Sequence, residues 1–124
     1  MTDTLQYLDG VPVLVCGADG EPVRGEREAT DLLGNAFHHG AAWVAVPVER
    51  LTDDFFRLRT RLAGNIAQKF VNYRIGLAVL GDVSRHVEQS TALRDFVRES
   101  NRGGQLWFLA DLAELRARLA GAGR

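Results

Sequence analysis

The sequence predicts an α/β fold: one domain over residues 1–124, with a mainly parallel sheet of four to five strands and about four helices. Three observations carry that reading. Short apolar runs recur at residues 11–16 (VPVLVC), 42–48 (AWVAVPV), 75–80 (IGLAVL) and 105–109 (QLWFL). Between them lie longer segments whose apolar residues fall three and four apart, the period of a helix with one buried face. The run at 75–80 is almost wholly apolar, as expected of a central parallel strand covered on both sides. Short connections that join successive strands through helices require right-handed crossovers and therefore parallel pairing.

Each element has its own local cause. Gly10 and Gly17 bound the first run, and residues 6–8 pair with it through a turn at Asp9-Gly10. Residues 27–39 form a helix with Ala29, Leu32, Leu33, Ala36 and Phe37 on one face, and Gly40 suits the left-handed closing position. Pro47 cannot donate to a ladder, so the second run either ends there or lies at an edge. The longest helix runs from about Thr60, or a few residues earlier, to Tyr73, with Leu58, Leu62, Ile66, Phe70 and Tyr73 on one stripe. Residues 90–102 form the next helix, with Leu93, Phe96 and Val97 inward and Gly103 closing it. Asp111 and Glu114 make a capping box that opens a terminal helix burying Leu112, Leu115 and Leu119.

Composition excludes several classes. With 46% hydrophobic and 25% charged residues, the chain has enough apolar surface to offset its ordering entropy, so it is not a disordered segment. A single cysteine, Cys16, excludes a disulfide scaffold. No stretch approaches the ~20 apolar residues of a membrane span, and the first ten residues lack the order of a signal peptide. These features predict a cytoplasmic protein with no membrane partner. A formal charge of −1 argues against nucleic acid, because binders of phosphate backbones usually carry a basic excess. Lys69 is the only lysine beside many arginines. Arginine grips phosphate and carboxylate through its planar fork, although a high-G+C genome produces the same bias.

Familiar catalytic signatures are absent: there is no glycine-rich phosphate loop, no GxSxG elbow and no HExxH. His38 and His39 are adjacent and so point apart on a helix, which predicts contact with its carbonyl end rather than metal binding. Cys16 lies in a strand and reads as a buried thiol. No cofactor is expected. Two groups of residues stand out as candidate sites. Arg57, Arg59, Thr60, Arg61 and Asn65 surround the start of the long helix, where free N–H groups favour anions and the three arginines could hold a phosphate, or recognise Thr60 itself when phosphorylated. The plainer reading is that Thr60 caps the helix while the arginines lie in water. Asp82, Ser84, Arg85 and His86 lie in a loop at residues 82–89 that leaves the carboxyl end of a central strand, where open α/β sheets place ligands. They could supply an acid, a hydroxyl, an anion clamp and a proton carrier, with Asp82 and His86 as the acid–base pair. Ala63, Gly64 and Ala67 form a small-residue gap that permits close approach, either by the sheet or by a second subunit in a homodimer. Glu99, Ser100, Asn101 and Arg102 cluster at the opposite end of the sheet.

Residues 55–84 (FFRLRTRLAGNIAQKFVNYRIGLAVLGDVS) and 93–103 (LRDFVRESNRG) resemble the family catalogued as domain of unknown function 4180, with likeness over residues 11–111. The resemblance implies a shared fold and brings no assigned activity. The chain departs from the family pattern at Arg61, where a glycine is usual. The order of elements is also similar to STAS domains, the sulfate-transporter and anti-sigma-factor-antagonist modules. That likeness implies a STAS-like sandwich without catalysis that binds partner proteins, in some members under control of a phosphorylated Ser or Thr. The matching position is Thr60, whereas the characteristic aspartate and paired serines of antagonists are missing.

The expectation is a non-catalytic interaction or regulatory module with a protein partner, binding through residues 59–65 and the neighbouring 82–89 loop. The alternative is a small-ligand binder or enzyme using the strand-end cleft around Asp82, Ser84 and His86.

Overall fold

The computed structural model describes residues 3–122, so the expected domain extends past the described residues at both ends. Five strands form one sheet: β1 (Thr4–Leu8), β2 (Val11–Val15), β3 (Trp43–Pro47), β4 (Gly76–Leu80) and β5 (Leu106–Leu109). They lie side by side in chain order. β1 is antiparallel to β2, and the other three pairings are parallel. The sheet is therefore mixed, where the sequence predicts a mainly parallel one. The cause is the Asp9-Gly10 turn, whose φ angles of 52° and 85° match the hairpin turn that returns a strand beside its predecessor. β3 stops at Pro47, as its missing N–H requires.

Six α-helices are present among the described residues, against an expected four. They are α1 (Glu26–His38), α2 (Asp53–Phe56), α3 (Leu62–Asn72), α4 (Ser84–Gln89), α5 (Thr91–Arg102) and α6 (Leu112–Ala122). The two extra ones are short, four and six residues long, and flank the site. α2 follows Thr52 with two aspartates in its first turn, which suits the positive end of a helix. α4 occupies most of the expected 82–89 loop. α1 opens on Glu28, whose carboxylate accepts from the backbone N–H groups of Arg24 and Gly25 at 3.0 and 2.8 Å.

Strand alternation sorts the core into two layers. Leu14, Val44, Val46, Leu77, Val79, Leu106 and Phe108 face α1, α2, α3 and α5. Val13, Trp43, Ala45, Ala78, Trp107 and Leu109 face α6 through Leu115 and Leu119. Sequential strand order puts every crossover helix on one face, because each right-handed crossover advances the sheet in the same direction. Neighbouring crossovers never diverge, so the topological switch point that opens a ligand crevice in doubly wound sheets is missing.

The α6 face is closed by aromatic stacking. Trp43 and Trp107 lie 4.1 Å apart between ring centroids with a 26° tilt, and the Arg118 guanidinium sits 4.3 Å over Trp107. Trp43 crosses β4 to reach its partner and passes over Gly76, where a Cβ would come within 2.4 Å of the indole.

Gly64 behaves differently from the expected close-approach position. A Cβ there would meet nothing within 4 Å among the described residues, while Ala63 is buried in the core. Gly64→Ala is therefore expected to raise stability by about 0.5–1 kcal/mol, the helix-propensity difference. Thermal unfolding checks this. A loss of stability would place a second chain against that face of α3.

Candidate functional site

The carboxyl ends of the strands carry two grooves, separated by α4. The first, of about 650 Å³, is lined by Asp53, Phe56 and Arg57 from α2 and its end, by Leu58 and Arg59 of a single 3-10 turn, and by Arg85, His86 and Gln89 of α4. The second, of about 620 Å³, has apolar walls from Val83, Val87, Val97, Phe108 and Leu109, with Asp82, Ser84 and Glu88 beside them.

This partition redistributes the residues expected in the 82–89 loop. Asp82 and Ser84 line the apolar groove, whereas Arg85 and His86 line the basic one. Asp82 is spent locally: its Oδ1 accepts from the Ser84 N–H at 2.9 Å and from the Ser84 hydroxyl. Those two hydrogen bonds, the hydroxyl's first, hold the Asp82 carboxyl below the ordinary aspartate range. It is a turn-forming group, and it lines a different groove from His86.

His86 stacks flat on the buried ring of Phe56, with centroids 4.0 Å apart and planes 8° apart. Its Nε2 lies 3.3 Å from Arg85 Nη2, and Arg85 reaches Asp53 at 3.6 Å. Burial against Phe56 lowers the His86 pKa first, and the Arg85 charge lowers it further, while Asp53 opposes both. The imidazole is thereby biased toward its neutral form, able to accept from Arg85.

The residues expected around the start of the long helix also separate. Thr60 ends the 3-10 turn, and its hydroxyl lies 2.8 Å from both the Asp54 and Arg57 carbonyls while accepting from the Leu62 N–H at 3.2 Å. It closes the turn and serves the first free N–H of α3. Arg61 takes the N-cap position with φ 61° and ψ 9°, a left-handed conformation that glycine adopts freely and arginine at a cost. A glycine would suit this backbone better. Asn65 turns toward α1, donating to Glu26 Oε2 at 3.4 Å beside the Lys69–Glu26 pair at 3.7 Å. Of this group Arg57 and Arg59 line the basic groove, where they join Arg85 and His86 from the other.

Sequence reasoning missed Asp53 and Phe56 as partners in this groove. The available signal was the run Thr52-Asp53-Asp54, a helix start just ahead of the arginines. It also missed Arg50, which is 7% exposed and pairs with Asp3 at 2.7 Å while donating to the Glu21 carbonyl at 2.9 Å.

Other candidates behave as structural groups. The His39 ring lies 2.8 Å from the Asn35 carbonyl at the end of α1. No cluster of potential metal ligands exists among the described residues. Burial, reinforced by Asp3 and opposed by Arg50, pushes the Cys16 thiol up to about 12. Cys16 is thus expected to resist Ellman's reagent at pH 8 in the folded protein and to react fully in denaturant. Rapid reaction in the native state would contradict this placement.

Fold and site together define a single-sheet α/β protein whose crossover helices share one face and whose strand ends carry a basic groove beside an apolar one. The chain belongs to the family described as Domain of unknown function (DUF4180), whose model matches residues 8–119. No curated protein and no solved structure matches it. No helix among the described residues is long and apolar enough to cross a membrane.

Proposed function

We propose that this chain is a non-catalytic, cytoplasmic protein-interaction module of STAS-like architecture that docks an acidic segment of a partner protein in the basic groove. The convergence of Arg57, Arg59 and Arg85 on that groove, opposed within it by Asp53 alone, carries the reading. Guanidinium forks recognise carboxylate and phosphoryl groups through paired hydrogen bonds. The separation of Asp82 from His86 and the burial of Cys16 support a binding role over a catalytic one. The order of elements, with Thr60 just ahead of α3, the long helix between β3 and β4, supports the STAS-like architecture.

Comparative affinity capture tests the docking reading. Tagged wild-type protein and the Arg59→Glu/Arg85→Glu variant are passed over native lysate. A stoichiometric partner retained by the first and lost by the second is expected, and one retained equally by both would overturn the reading.

The apolar groove favours a second reading, a small apolar ligand bound between α4 and α5. Its walls of Val83, Val87, Val97 and Phe108 suit such a molecule. That reading predicts a ligand-induced rise in melting temperature that Val97→Asp abolishes and Arg59→Glu leaves intact.

A further inference from the structure

The groove holds more positive charge than its own carboxylate balances. Its lining includes three guanidinium groups, Arg57, Arg59 and Arg85, and one carboxylate, Asp53. Arg57 leans toward Asp54 at 3.4 Å and Arg85 toward Asp53 at 3.6 Å, with all four side chains more than half exposed. Contacts so exposed are weak and exchange readily with another anion. Arg59 has no ion pair among the described residues. The cations come from two separate stretches of chain, the segment before α3 and the ridge of α4, and both stretches line the groove.

We propose that the groove binds a phosphorylated Ser or Thr side chain on a segment of the partner protein, with Arg59 and Arg85 as its ligands and Asp53 as the internal anion it displaces. This inference rests on the docking reading and names the chemistry of its partner. A carboxylate brings one charge and one two-oxygen face, matched by a single guanidinium fork. A phosphoryl ester brings about −1.5 to −2 charges and three acceptor oxygens, which allows guanidiniums from two chain segments to bind at once. Set against three arginines, Asp53 and the Asp54 that Arg57 contacts leave one positive charge, carried by Arg59, before any internal anion is displaced.

The shape of the site argues for a peptide over a free anion. Small-molecule sites enclose ~70–90% of their ligand, whereas Arg85 here is 74% exposed and any lone anion would stay largely in water. An extended segment gains further contact along Leu58, Gln89 and Ala92, which line the same groove. Asp53 competes with the incoming group for Arg85, so its neutralisation strengthens binding even though it removes a polar partner.

Fluorescence anisotropy with four probes tests this. A labelled degenerate peptide pool with a central phosphothreonine or phosphoserine is titrated beside matched pools centred on Glu and on Thr, with inorganic phosphate as competitor. The phosphorylated pool is expected to bind about ten-fold tighter than the Glu pool, a gain of the size charge-assisted contacts give. Arg59→Ala and Arg85→Ala should each weaken it about ten-fold, and Asp53→Asn should tighten it about three-fold. Equal binding of the phosphorylated and Glu pools would overturn the phosphoryl inference and leave acidic docking in place. No binding of either pool, with lysate capture still sensitive to the charge reversal, would also overturn it alone. Binding indifferent to both arginines would overturn it together with the docking reading. Competition by inorganic phosphate at the peptide's own affinity would overturn the peptide as occupant in favour of a free anion.

Discussion

Gly76→Ala is expected to destabilise the protein by at least ~3 kcal/mol, beyond the ordinary cost of overpacking a core. The added Cβ would sit 2.4 Å from Trp43 Cδ2 and Cε2, and those atoms belong to a rigid bicyclic ring. The indole can leave only by tilting out of its stack with Trp107, 4.1 Å away. Trp107 is fixed in turn, with its Nε1 donating to the Gly103 carbonyl at 2.7 Å and Arg118 over its ring. One methyl group therefore disturbs the whole layer between the sheet and α6. Urea unfolding with near-UV circular dichroism checks both parts: a lower midpoint and a weakened coupled-tryptophan signal. An unchanged midpoint would mean that Trp43 does not cross β4 as described.

Asn101→Ala is expected to cost about 2 kcal/mol, roughly one for each of two hydrogen bonds, and to make the protein self-associate. β5 is an edge strand, and edge strands present unpaired groups that recruit other chains. The Asn101 side chain occupies that edge like a short strand. Its Oδ1 accepts from the Phe108 N–H at 2.7 Å, and its Nδ2 donates to the Phe108 carbonyl at 3.2 Å. Alanine would leave both groups open at the middle of β5. Light scattering and urea unfolding provide the readouts, and Asn101→Asp, which keeps only the acceptor, should fall between. A monomer of undiminished stability would contradict the sealing role.

The fold was largely legible from hydrophobic period. The runs containing Val44, Leu77 and Phe108 announced strands, and the stripe of Ile66 and Phe70 announced a helix, because burial imposes its spacing on sequence. The antiparallel β1 was legible only as a hairpin at Asp9-Gly10. The sheet that it completes is mixed, because a two-residue hairpin joins only antiparallel neighbours. The short helices α2 and α4 escaped because fewer than two turns are too brief for a periodic signal. That omission blurred the candidate site. Arg59, Arg85 and His86 could be singled out by residue type, but only α4, acting as a ridge, shows that Asp82 and Ser84 face elsewhere. Asn101 looked like part of a polar helix end. Its role depends on a strand edge that period cannot place.

The docking account is tested most directly by NMR titration of the isotopically labelled protein with a polyglutamate peptide. Amide shifts are expected at residues 53–60 and 85–92, fading as salt is raised and vanishing in Arg59→Glu/Arg85→Glu. Shifts confined to residues 81–84 and 108–110, around the apolar groove, or an unperturbed spectrum at low salt, would contradict it.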